Sequence, residues 1–141
     1  MFKKKGEMMV RSFILSFLLF GFSATLGAGE RPLSLPFDVK LAGQVPIPAG
    51  DVAKLTNPIT NDAELEVMVS STETIFVNFF IADANGHVDN KNSQATEIML
   101  INGSNKAKIN QTMSKNGLKV GTYLANIMAQ NQTARIVFTI K

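Results

Sequence analysis

The sequence predicts an all-β domain, an antiparallel β-sandwich of about seven or eight short strands, and three observations carry that prediction. Apolar and polar residues alternate with period two through successive runs, most fully between residues 117 and 141. Turn signals separate those runs, among them Asp83-Ala84-Asn85-Gly86, Asn102-Gly103 and Asn116-Gly117, at the spacing of about 8 to 12 residues typical of sandwich strands. A helical period is found only near the start of the chain.

That first element is a leader. Lys3, Lys4, Lys5 and Arg11 precede an uncharged run over residues 12–29, dominated by Phe, Leu and Ile in its first half and by Ser, Ala, Thr and Gly in its second. Positive head, apolar middle and small-residue end predict a secretory signal peptide, helical, with Met8 and Met9 as alternative starts. Cleavage after Gly27 or Gly29 leaves Ala28 or Glu30 as the first residue. The alternative is an uncleaved N-terminal anchor, and the 18 uncharged residues sit at the low end of the roughly 17 to 25 that a span requires. The chain thus divides into a signal peptide (1–29), a Pro-punctuated linker (30–36) and a single sandwich domain (37–141), with membrane contact expected only through the leader during export.

Charge follows the same division. The chain has 14 basic and 11 acidic residues, but from Glu30 onward there are ten of each, so the basic isoelectric point of about 9.3 belongs to the leader. A balanced domain without a basic stripe excludes nucleic acid as a partner. Cysteine is absent, which rules out a disulfide framework, a zinc-thiolate site and a lipid-modified cysteine. A secreted eukaryotic domain of this size more often carries a bridge, so the expected location is a bacterial periplasm or cell surface.

Along the domain, Phe37, Val39 and Leu41 alternate with Asp38 and Lys40 as a first short strand, and Pro46, Pro48 and Pro58 restrict the next stretch to edge pieces and loops. Residues 64–69 and 75–81 alternate as two further strands, which the pattern leaves free to pair as a hairpin or to lie in opposite sheets. Residues 96–101 and 106–110 supply two more. The last two strands form the most strongly specified hairpin. A four-residue loop from Gln130 to Thr133 would set Ala129 opposite Ala134, Ile127 opposite Ile136, Ala125 opposite Phe138 and Tyr123 opposite Ile140, all on one face.

Leu118, Gly121 and Tyr123, spaced L-x-x-G-x-Y at the entry to that hairpin, resemble the corner before the penultimate strand of immunoglobulin-like and fibronectin type III-like sandwiches. The resemblance covers about 25 residues and implies a tyrosine hydroxyl bonded back to the upstream backbone at a sheet-to-sheet crossing. The Cys pair and Trp of antibody domains have no counterpart here. The hairpin is also similar to the Gly-Thr-Tyr ending of small periplasmic copper carriers. Their histidine ligands are missing, and Met68, Met99, Met113 and Met128 lack M-x-x-M spacing.

The inventory for chemistry is short. His87 is the only histidine and stands beside a Gly turn, with no nucleophile motif in the chain. Asp83, His87 and Asp89 are the weak candidates for a metal, but Gly86 is the fourth residue of that loop where an EF-hand needs it sixth, and no Glu follows at the twelfth position. Asp62, Glu64 and Glu66 read as a solvated strand face. The sequons at Asn102, Asn110 and Asn131 arise readily in a chain rich in Asn and Thr. We therefore expect no cofactor and no catalysis. An apolar surplus remains: with Ile75, Val77, Phe79 and Ile81 turned inward, Phe76 and Phe80 point outward, and Met68 lies on the outward face of the preceding strand. The expectation is a non-enzymatic interaction or accessory module with a protein partner; the alternative is a periplasmic carrier of a metal ion or small apolar ligand held between the sheets.

Overall fold

A computed structural model describes residues 35–141; the leader and residues 30–34 of the linker lie outside the described residues. The described residues fold into nine strands: β1 (Asp38–Leu41), β2 (Ile47–Ala49), β3 (Val52–Lys54), β4 (Glu64–Met68), β5 (Ile75–Ile81), β6 (Glu97–Ile101), β7 (Lys106–Lys108), β8 (Gly121–Ala129) and β9 (Gln132–Ile140). A 3-10 turn, Asn90–Asn92, interrupts the connection from β5 to β6. One sheet has six strands in the order β2-β3-β9-β8-β5-β6, and the other has three, β1-β4-β7.

Period-two alternation places one set of side chains from each sheet in a shared core. Val39 and Leu41 of β1 and Leu65 and Val67 of β4 belong to the same buried cluster as Ile75, Val77 and Phe79 of β5, Ile127 of β8 and Ile136 and Phe138 of β9. Within it Phe138 is edge-on to Phe79 with ring centroids 6.0 Å apart and stacked on Tyr123 at 5.9 Å, both favourable aromatic geometries. Strands β4 and β5, whose pairing the pattern left open, lie in opposite sheets.

The hairpin differs from expectation in register. Gln130 and Asn131 both take left-handed backbone conformations, φ 53° and 58°. That is the requirement of a two-residue type I′ turn, whose twist matches that of the flanking strands. The loop is therefore two residues long, not four, and Ala134 lies opposite Ile127, Ile136 opposite Ala125 and Phe138 opposite Tyr123. The displacement is one full pleat, so every side chain keeps its predicted face.

The prolines do mark an edge, since Pro48 lies in the outermost strand β2, but β3 is more than a loop. It runs parallel to β9, with Ala53 opposite Ile136 and Lys54 opposite Val137. Among the described residues the sandwich is thus antiparallel except at this pairing and at a parallel bridge between Ile59 and Ile140, and these residues supply nine strands where seven or eight were expected.

Candidate functional site

The outer faces of the two sheets have opposite characters. On the three-stranded sheet, Lys40 lies opposite Glu66, Glu66 opposite Lys106, and Glu64 opposite Lys108. Opposite charges facing across strands make a solvated, self-complementary surface, which accounts for Glu64 and Glu66 without a ligand. Met68 is half-buried on this same face, opposite Asp38. It sits on the other sheet from Phe76 and Phe80, so the three do not form one patch.

On the six-stranded sheet the register defines three rows across the outer face. Leu100, Phe76, Met128 and Thr133 form the first, across β6, β5, β8 and β9. Ile98, Asn78, Asn126 and Arg135 form the second. Phe80, Leu124, Val137 and Lys54 form the third.

Residues 82–96, which connect β5 to β6, fold over the third row. Val52, Leu124 and Val137 are buried there as a second, smaller cluster, with Phe80, Ala82 and Val88 packed against it. The approach is close: a Cβ on Gly86 would stand 2.9 Å from Val52 Cγ1 and 3.0 Å from Val137 Cγ2, at a φ of +83°. Only glycine lets the loop backbone lie on the sheet here. Phe80 is therefore a half-buried anchor beneath this loop. The first row has no such cover: Phe76 is 47% exposed and its neighbour Ile98 40%, with the half-buried Leu100 and Met128 flanking Phe76 on either side.

Asp83, His87 and Asp89 lie in the covering loop and organise its turns. One carboxylate oxygen of Asp83 accepts the backbone N–H of Asn85 at 2.8 Å and that of His87 at 3.0 Å, and Asp89 accepts that of Lys91. The bonds from the His87 and Asn85 backbone hold the Asp83 carboxyl below its ordinary value of 3.8. His87 Nδ1 stands 3.4 Å from Asp83, and the imidazole is 79% exposed. Among the described residues no group of three or more His, Asp or Glu side chains is placed to hold a metal ion. The geometry here is that of local turns.

Both edges of the large sheet are obstructed. On one side Pro48 removes an N–H from β2. On the other, Met113 donates its N–H to the Ile98 carbonyl of β6 at 2.8 Å, and the Ser114 hydroxyl donates to the nearly buried Glu97 carboxylate. The same segment leads to Leu118, Gly121 and Tyr123. Leu118 is buried in the core. The Tyr123 hydroxyl donates to the Lys119 carbonyl at 2.8 Å, and burial raises its pKa above the ordinary 10.0, with the Lys119 bond acting the other way and Glu97 adding to the rise.

Sequence reasoning singled out Phe76 but missed its neighbours Leu100, Met128 and Ile98. A signal was present, because in residues 98–101 both parities are apolar, as expected of a strand with two apolar faces. The chain matches no protein-family model, no curated protein and no solved structure.

Proposed function

We propose that this chain is an exported, non-enzymatic sandwich of the immunoglobulin-like group, working in a bacterial periplasm or at the cell surface, which docks a protein partner on the uncovered row Leu100, Phe76 and Met128 with Ile98 beside it. The observation that carries the reading is the contrast between outer faces: one is charge-matched in register, while the other is covered by its own loop over one row and left apolar over another. Supporting the immunoglobulin-like grouping, the first, second and fifth of the main strands (β1, β4, β7) share one sheet and the third, sixth and seventh (β5, β8, β9) share the other, and the Tyr123 hydroxyl bonds to backbone four residues upstream at the entry to β8. The obstructed edges favour recognition by side chains on the face over addition of a strand.

Burying one phenylalanine contributes roughly 1.5 to 3 kcal/mol, so Phe76 with its row can hold a transient partner without charges. The test places a photo-crosslinking residue at position 76, and separately at Lys106 on the charged face, in the native host. A protein adduct is expected from position 76 and not from 106, and the double substitution Phe76→Ser, Ile98→Ser is expected to weaken association about tenfold or more while the melting curve is kept. His87→Ala should leave association unchanged. Equal adducts from both faces, or loss of association on His87→Ala with the fold intact, would overturn the reading.

A further inference from the structure

Three Asn-Gly steps punctuate the chain, at residues 85–86, 102–103 and 116–117, and the dipeptide that favours a tight turn is also chemically labile. The backbone nitrogen that follows an asparagine can attack the side-chain amide carbon, and a glycine there adds no Cβ to obstruct the approach. The sequence makes the three steps equivalent, and all three glycines take the left-handed conformation. What separates them is the partner of the glycine N–H. Gly86 donates to the Asp83 carbonyl at 3.0 Å, and its backbone lies close on Val52 and Val137. Gly117 donates to Thr112 Oγ1 at 3.2 Å, and Thr112 is buried. Gly103 donates to no group among the described residues. Asn102, Gly103 and Ser104 are all exposed, and a Cβ at Gly103 would meet nothing within 4 Å.

We infer that Asn102 is a self-modifying site: in the folded domain it is the asparagine of these three that converts to aspartate and isoaspartate. The attacking species is the deprotonated backbone nitrogen. An oxygen that accepts the N–H stabilises the protonated form and opposes this step, which protects the sites at Gly86 and Gly117 and leaves the one at Gly103 open. As Gly103 N bonds to Asn102 Cγ, negative charge develops on Oδ1, where the Thr74 hydroxyl already donates at 2.8 Å, a placement that stabilises an oxyanion. The Cγ–Nδ2 bond then breaks, and the proton lost from Gly103 N ends, through solvent, on the departing ammonia. Water opens the resulting cyclic imide at either carbonyl, giving aspartate or its β-linked isomer. One water is consumed and one ammonia released, with no change of oxidation state. The product matters by its position. Asn102 follows Leu100 on the outer side of β6, and its bonded partner Thr74 precedes Phe76 on β5. Conversion therefore sets a carboxylate beside the uncovered row and adds one acidic group to a domain that has ten of each sign. The chemistry itself does not depend on docking.

All three sites can be followed in one sample. The full chain, expressed with its leader and purified in the folded state, is incubated at mildly alkaline pH, and peptide mapping with fragmentation that distinguishes isoaspartate reads the fraction converted at Asn85, Asn102 and Asn116. Conversion at Asn102 is expected to be at least about tenfold faster than at the other two, since giving up a hydrogen bond at the attacking nitrogen slows the step by about that factor. In concentrated guanidinium chloride the three rates are expected to come together, because the fold no longer engages any of the three nitrogens. Asn102→Gln keeps an amide but enlarges the ring that attack must close. It should remove the acidic variant that isoelectric focusing shows for the folded, unsubstituted chain, with the melting curve kept. Equal rates at the three sites in the folded chain, a faster rate at Asn85 or Asn116, or a preference for Asn102 that survives unchanged in denaturant would each overturn the assignment.

Discussion

Tyr123 joins one polar atom to the geometry of a whole corner. Its ring is 4% exposed and stacks on Phe138, while its hydroxyl reaches the Lys119 carbonyl, so Tyr123→Phe keeps the packing and leaves that carbonyl without its donor. The expected cost is about 1 kcal/mol or more in denaturant titration; a change indistinguishable from zero would make Tyr123 an ordinary strand residue. The phenol also predicts a pH dependence. Its folded pKa is raised above 10.0, so the folded chain holds the proton more tightly than the unfolded one. The resulting stability is whole below pH 10.0 and is lost as pH rises through the folded value. With one tyrosine and no tryptophan in the chain, ultraviolet absorbance reads this titration directly, and a native midpoint at the ordinary value would contradict it. Asp83 acts in the opposite window: its depressed pKa adds stability above the ordinary 3.8, which fades as pH falls through the folded value.

Among the elements, the β8–β9 hairpin depends on a turn that is chemically unfavoured. Both Gln130 and Asn131 hold positive φ; asparagine tolerates this conformation, but glutamine does so poorly. Replacing the pair with Asn-Gly (Gln130→Asn, Asn131→Gly) is expected to stabilise the domain by about 0.5 to 1 kcal/mol, measured by urea unfolding; destabilisation would mean that the side chains, and not the backbone, set the turn. This turn also explains why the faces of the hairpin are legible in the sequence while its register is not. Alternation reports which side of the sheet a residue faces, and Ala134 faces inward whether its partner is Ala129 or Ile127. A Gln-Asn pair does not announce a type I′ turn. Similarly, the three residues of β3 are too few to show a period, and their partner lies some eighty positions away in β9. At the candidate site Phe76 is legible from the alternation of β5 alone. The burial of Phe80 depends on a loop folding back, and the proximity of Asn126 and Arg135 depends on the corrected register.

For the whole molecule, export is the prediction on which the proposed setting rests. Expressed with residues 1–29 in a secreting bacterium, the protein is expected outside the cytoplasm with Ala28 or Glu30 at its N-terminus; N-terminal sequencing of a membrane-bound form with the leader intact would establish an anchor instead. The position of β9 bears on such a route in another way. It is made after every other described strand, yet it lies inside the six-stranded sheet with β3 on one side and β8 on the other. Until β9 emerges, β8 has a bare edge and β3 lacks its neighbour, and joining them requires closing most of the domain as a loop. The larger sheet therefore cannot be completed while the chain is being made. For the proposed export route this means that the order of synthesis leaves the larger sheet open until the last of these strands has been made.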